Sequence, residues 1–242
     1  MKEPTFVKHY FAASKTISRW WHPESQDPRK NPFLPYSEFY VKEVDDVIKA
    51  AEAKGRKTLD AGTGDGRLLE RLLELKPSDI CGVDISRDML AAAKTRVSHS
   101  EKAHFVLADI ENLPFRESIF DSVLCIQTLV HVPRPRIGLS ELSRVSTPGG
   151  RVIVDITNRN ASAVIQYFRD RASFISFLNA MIRFIALYLP YGPLKGMGGP
   201  WRQYSPKDVQ ELLTKHDLQL LQKVSYGTKA VFTMMIFTNR KL

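Results

Sequence analysis

Between Thr58 and Thr157, short β-rich runs alternate with helical patterns, and this alternation constrains the fold more than any other feature of the chain. It is the pattern of βαβ units laid on a parallel sheet. Strands are expected at 57–60, 80–84, 104–108, 122–126 and 151–156, with helices at 67–75, 87–97 and 137–145 between them. Glycine and proline punctuate the joints: Gly62, Gly64 and Gly66 after the first strand, Pro114 before the fourth, and Pro148-Gly149-Gly150 before the fifth.

Ahead of this core lies an approach rich in proline and aromatic residues (Trp20, Trp21, Pro23, Pro28, Pro32, Pro35), followed by an expected amphipathic helix over 37–54. Gly55 is placed to stop that helix. Behind the core, 162–189 reads as one long or broken helix and 190–200 as a Gly/Pro loop. Ser205-Pro206 opens a further helix through Lys215, and strands at 218–224 and 230–237 close the chain. The chain therefore divides into N-terminal cap segments with a first helix (1–54), a ligand-binding core (55–157), a lid insertion (158–204) and a helix with strands that complete the sheet (205–242).

Neither the two cysteines nor the N-terminus places the chain outside the cytoplasm. Cys81 and Cys125 sit in apolar runs far apart, which argues against a disulfide framework or a zinc site and for a reducing compartment. The opening MKEPTFVKHYFAASK lacks the apolar core of a secretion signal, and no stretch reaches the roughly 18 apolar residues of a membrane span. His9, His22, His99, His104 and His216 are not at metal-ligand spacing, so no metal is expected.

The chemistry concentrates in Leu59-Asp60-Ala61-Gly62-Thr63-Gly64-Asp65-Gly66-Arg67, a Gly-rich turn from a strand into a helix. Glycines let the backbone approach a ligand closely, and the helix start offers unpaired N–H groups. The glycines fall as G-x-G-x-G, unlike the G-x-G-x-x-G dinucleotide fingerprint, and an acid precedes them at Asp60.

This turn resembles that of the class I S-adenosylmethionine-dependent methyltransferases, in the subgroup that includes quinone, sterol and small-molecule enzymes. Further segments match in order: Gly82-Val83-Asp84-Ile85-Ser86 with Met89-Leu90, Ala108-Asp109-Ile110 before Leu113-Pro114-Phe115, Phe120-Asp121-Ser122-Val123, and Pro148-Gly149-Gly150-Arg151. The resemblance spans about residues 55–157. It implies an α/β, Rossmann-like seven-stranded sheet with six parallel strands and one antiparallel. The implied cofactor is S-adenosylmethionine, leaving as S-adenosylhomocysteine.

Carried over position by position, the cofactor-binding residues are Asp60, Ala61, Gly62, Thr63, Gly64, Arg67, Asp84, Ile85, Met89, Asp109, Ile110 and Gln127. Asp84 would accept hydrogen bonds from the ribose hydroxyls, as an acid about 20 residues beyond the Gly turn does in doubly wound folds. Asp109 would accept from the adenine amine, Ile85 and Met89 would flank the base, and Asp60 would orient the methionine amino end. His131, after strand four, is the candidate general base, the alternative being that it only hydrogen-bonds the backbone or packs on the cofactor. Strand four ends in Gln127-Thr128-Leu129 and not in the Arg-Asn pair of quinone-ring C-methyltransferases.

The acceptor side is expected from outside the core, with Tyr36, Tyr191, Trp201, Arg202 and Tyr204 as substrate-binding candidates for a small apolar or lipid-like acceptor. Residues 174–189 are apolar nearly all round, which suits a buried lid or a homodimer face, with peripheral membrane contact as the other option. Residues 158–242 hold 12 Lys+Arg against 4 Asp+Glu, whereas 59–157 hold 12 against 14. The basic excess therefore bears on the acceptor side and not on the cofactor. Its scattered cations suit a solvated surface better than a nucleic-acid track. RNA (tRNA) methylation is the alternative activity, and a non-catalytic cofactor-binding subunit is the alternative of another class.

Overall fold

The computed structural model describes residues 37–157, 205–226 and 232–240. Tyr36, Tyr191, Trp201, Arg202, Tyr204, the lid over 158–204 and the apolar run 174–189 lie outside these residues. In chain order the elements are α1 (Ser37–Ala51), β1 (Lys57–Ala61), α2 (Arg67–Leu73), β2 (Asp79–Asp84), α3 (Arg87–Arg96), β3 (Ala103–Leu107), β4 (Phe120–Cys125), α4 (Pro135–Val145), β5 (Ser146–Thr157), α5 (Pro206–Thr214), β6 (Leu218–Tyr226) and β7 (Phe232–Asn239).

The seven strands form one sheet in the order β3-β2-β1-β4-β5-β7-β6. β1 through β5 pair in parallel, and β7 runs antiparallel to both β5 and β6. Side chains alternate across the strands and so load both faces of the sheet. Leu59, Val83, Val123, Val154 and Phe237 pack with Leu139 and Leu142 of α4 and with Leu213 of α5. Ile80, Leu124, Ile153 and Ile236 pack on the other face with Val47 of α1 and with Leu69 and Leu72 of α2.

Most expected boundaries shift by one or two residues, and three shifts have a clear local reason. α1 ends at Ala51 and not at Lys54, because Glu52 turns into the left-handed region at φ 44°. α2 ends at Leu73 and not at Leu75; Leu75 and Lys76 donate to Leu72 and Leu73 in a tighter turn. β5 begins at Ser146, five residues before the expected start, so Pro148-Gly149-Gly150 lies inside the strand. Phe120 pairs with Ser146 and Ser122 with Arg151, so one intervening residue of β4 faces four of β5. The Pro-Gly-Gly run is thus a bulge that interrupts the ladder without ending it.

The buried Ser146 joins this bulge to the last strand. Its Oγ donates to the Ser143 carbonyl at 2.9 Å and accepts from Asn239 Nδ2 at 2.8 Å. Asn239 Nδ2 also lies 2.9 Å from the Ser146 carbonyl oxygen. α5 starts as its sequence suggests, with the Ser205 Oγ accepting from the Asp208 amide and the Asp208 carboxylate accepting from the Ser205 amide.

Thr58 of β1 sits beside Ser122 of β4, and both hydroxyls are buried without a hydrogen bond to any described residue. A buried hydroxyl without a partner is destabilising relative to an apolar group of the same shape. Thr58→Val is therefore expected to raise unfolding stability by about 1 kcal/mol, measured as a higher urea midpoint at unchanged slope.

Candidate active site

Chain order turns back at β1: β2 and β3 extend the sheet to one side, and β4 then pairs on the other. Such a switch point leaves a crevice beyond the carboxyl ends of the strands. A cavity opens there, lined from β1 by Asp60 and the Gly-rich turn, from β2 by Asp84 and Ile85, from β3 by Ala108 and Asp109, and from β4 by Ile126, Gln127 and Thr128.

The turn is built by backbone bonds. The Gly62 and Thr63 amides both donate to the Val83 carbonyl, at 2.7 and 2.9 Å, which ties the end of β1 to β2. The next amide, Gly64 N–H, donates to Asp84 Oδ2 at 2.9 Å, and Ser86 N–H donates to Asp84 Oδ1 at 2.8 Å. Asp84 is thereby aimed along the cavity. A carboxylate oxygen can accept more than one bond, so both remain able to receive hydroxyl donors. Burial pushes its carboxyl above the usual carboxylate range, against the opposing effect of the Ser86, Gly64 and Ile85 amides.

Asp60 is the deeper acid, 2% exposed at the end of β1. Burial raises its pKa from 3.8 to about 7, the Thr63 hydroxyl bond at 2.8 Å opposes the rise, and the Asp84 charge adds to it. Asp65, also nearly buried, pins the turn to neighbouring helices: its carboxylate takes Arg67 Nε at 2.9 Å and an Arg96 guanidinium nitrogen at 3.0 Å.

On the β3 side, Asp109 Oδ1 accepts the Glu111 amide at 2.9 Å, which shapes the loop that carries Asp109 and Ile110. Glu111, its side chain 1% exposed, receives the Arg134 amide at 2.6 Å and the Arg134 guanidinium at 2.8 Å. That pair ties the β3 loop to the segment behind β4. A second clamp joins Glu141 to the Leu113 amide and Arg144 to the Leu113 and Phe115 carbonyls.

Behind β4, Gln127 adopts a left-handed backbone at φ 53° and donates its amide to Asp155 Oδ1 at 2.5 Å. Thr128 Oγ1 lies 3.2 Å from the Gly62 carbonyl and 3.0 Å from that of Ile126. A single 3₁₀ turn, Leu129–His131, then brings the half-buried His131 to the cavity wall.

The structure thus gathers Asp60, Gly62, Thr63, Gly64, Arg67, Asp84, Ile85, Met89, Asp109, Ile110, Gln127 and His131 around one cavity. Ala61 does not join them. It is wholly buried in the core on one face of the sheet, because successive strand residues point to opposite faces and Asp60 takes the other. Arg67 lines the cavity while its Nε is held by Asp65.

Sequence reasoning missed Val44 of α1, Thr128 and Val132 in the lining, and Asp155 beneath it. Val44 and Val132 look like ordinary core residues in the chain. Asp155 carried a legible signal: an acid in the otherwise apolar Val152–Ile156 strand.

Among the described residues, no group of three or more His, Cys, Asp and Glu side chains could hold a metal ion, and no helix is long and apolar enough to cross a membrane. The donor set suits an adenosyl group. Asp84 offers two acceptor oxygens for vicinal hydroxyls, Asp109 stands at the next strand end, and Ile85, Met89, Ile110 and Val132 supply apolar wall.

Comparison with known proteins agrees with this geometry. Residues 59–154 match a family model described as a methyltransferase domain. A ubiquinone biosynthesis O-methyltransferase of Dechloromonas aromatica (strain RCB) is 29% identical over 149 residues, 61% of each chain. Methyltransferase GfsG of Streptomyces halstedii is 30% identical over 158 residues, 62% of this chain and 55% of that one. The matched part thus spans about three fifths of these relatives' length.

Magnesium protoporphyrin IX methyltransferase from Synechocystis PCC 6803, solved with bound SAH, shares the fold at a TM-score of 0.67. That pair is 16% identical, covering 97% of this chain and 99% of the other. Residues 59–154 thus carry the similarity to methyltransferase domains, on a sheet with the Rossmann-like fold of the class I S-adenosylmethionine-dependent methyltransferases.

Proposed function

We propose that this chain transfers a methyl group from S-adenosylmethionine to a small apolar or lipid-like acceptor. The observation that carries the reading is the convergence of Asp60, Asp84 and Asp109, from three adjacent strand ends, on a cavity that His131 also lines. The relative named as a ubiquinone biosynthesis O-methyltransferase supports a small acceptor in place of a macromolecule.

Bound in this cavity, S-adenosylmethionine supplies an electrophilic methyl group on a sulfonium centre. The protein's share is to orient the cofactor, exclude water and align the acceptor. Asp84 holds the ribose hydroxyls, Asp109 the base amine, and ionised Asp60 the cationic amino end. The Gly62–Gly64 backbone lets the chain pass close to the ligand. His131 stands where it can take a proton from an acceptor that begins protonated, such as a phenol.

The test is methyl transfer from labelled cofactor into a cell extract separated into lipid, small-molecule and RNA fractions. Label in the lipid or small-molecule fraction is the expected result, and label only in RNA overturns the acceptor class. Cofactor binding without transfer to any fraction would make the chain a binding subunit. With an acceptor in hand, His131→Ala is expected to slow transfer by about 100-fold. A loss below about tenfold at unchanged cofactor affinity would remove His131 as the base.

A further inference from the structure

Gln127 is one of five residues other than glycine with a positive φ in the described chain, and it alone among them lines the cavity. A residue with a Cβ is strained in that region, and such strain persists only where the surroundings enforce it. Here one such contact comes from β5. The Gln127 amide donates to Oδ1 of Asp155, an acid 2% exposed at the far end of β5.

The next residue passes that restraint on. Thr128 Oγ1 bridges the carbonyls of Gly62 and Ile126, so the conformation of Gln127 decides where Thr128 meets the Gly-rich turn. The approach is close enough to leave no room for a side chain at Gly62, where an added Cβ would lie 2.7 Å from the Thr128 Cβ. His131 follows directly, its amide donating to the Thr128 carbonyl at 2.9 Å.

We propose that Asp155 is a positioning residue: its carboxylate holds Gln127 in the left-handed turn and thereby sets the Gly-rich turn and the His131 turn against each other across the cofactor cavity. The inference deepens the methyltransferase reading and rests on it. Asp155 does not line the cavity itself and acts through the backbone of Gln127. A burial cost is accepted for the carboxylate, and charge-assisted bonds to backbone N–H groups are the strong kind that can justify it.

The test is a double-mutant cycle read as S-adenosylhomocysteine affinity by calorimetry, with thermal midpoints for every variant. Asp155→Ala is expected to weaken binding by about 30-fold, since the left-handed turn loses its restraint. Glycine occupies that region without strain. In a Gln127→Gly background, whatever that substitution costs alone, Asp155→Ala is therefore expected to cost less than about threefold more. Asp155→Asn keeps an acceptor oxygen and is expected to hold affinity within about threefold of the unsubstituted chain.

Equal losses from Asp155→Ala in the two backgrounds would overturn the proposal. If Asp155→Ala does not fold, the cycle is run with Asp155→Ser, and the same comparison decides. Failure of the unsubstituted chain to bind S-adenosylhomocysteine would instead defeat the methyltransferase reading, so the two failures are distinguishable.

Discussion

Gly62→Ala is expected to destabilise the protein by about 3 kcal/mol or more and to lower cofactor affinity with it. The added Cβ would stand 2.2 Å from Thr128 Oγ1, 2.3 Å from its Cγ2 and 2.7 Å from its Cβ. Turning the threonine to another rotamer moves the first two atoms and leaves the third, so only a backbone shift relieves the clash. The φ of 86° adds strain of its own.

Gly64→Ala separates these two costs. It has a similarly positive φ of 56°, yet an added Cβ meets nothing within 4 Å. Its expected cost is strain alone, about 1 kcal/mol. Urea unfolding of both variants checks the pair, and equal losses would show that the Thr128 contact does not constrain the turn.

Cofactor affinity is expected to weaken by about tenfold for each pH unit below about 7 and to level off above it. Asp60 is the cause. In the folded chain its pKa stands at about 7, raised by burial and by the Asp84 charge. The cofactor's cationic end favours the carboxylate form, so binding at lower pH must expel a proton. Calorimetry at pH 6 in buffers of different ionisation enthalpy is expected to show release approaching one proton, and Asp60→Asn is expected to abolish it. Affinity independent of pH between about 5.5 and 8 would contradict the assignment.

The same acid sets a stability trend of opposite sense to that of most carboxylates. Between 3.8 and about 7 the folded chain keeps a proton on Asp60 that the unfolded chain has lost. Its contribution to stability therefore falls as pH rises through that window and is constant above it, by an amount on the order of 4 kcal/mol. Glu141, held down chiefly by its hydrogen bond to Arg144, works the other way: it stabilises above its unfolded pKa of 4.5, an effect lost on acidification below that.

Much of the core was legible because its signals are local. β1, β2, α3 and α4 lie within two residues of their expected bounds, since apolar periodicity and glycine placement act over one turn or one pleat. The larger misplacement, at β5, fell where a Pro-Gly-Gly run has two outcomes: it can end a strand or bulge within one. Propensity does not choose between them, whereas pairing with β4 on one side and β7 on the other does.

Taken alone, the sequence determined the βαβ grammar, the Gly-rich turn with its leading acid, and the acids closing the next two strands. Each of these is written in a short run of consecutive residues. The tertiary structure decided which side chains became neighbours across the sheet. Thr128 meets Gly62 over a separation of 66 residues and Asp155 meets Gln127 over 28, because strand order sets β4 between β1 and β5. It also decided the protonation of Asp60, which depends on how completely the surrounding chain removes water from a carboxyl group that the sequence presents like any other.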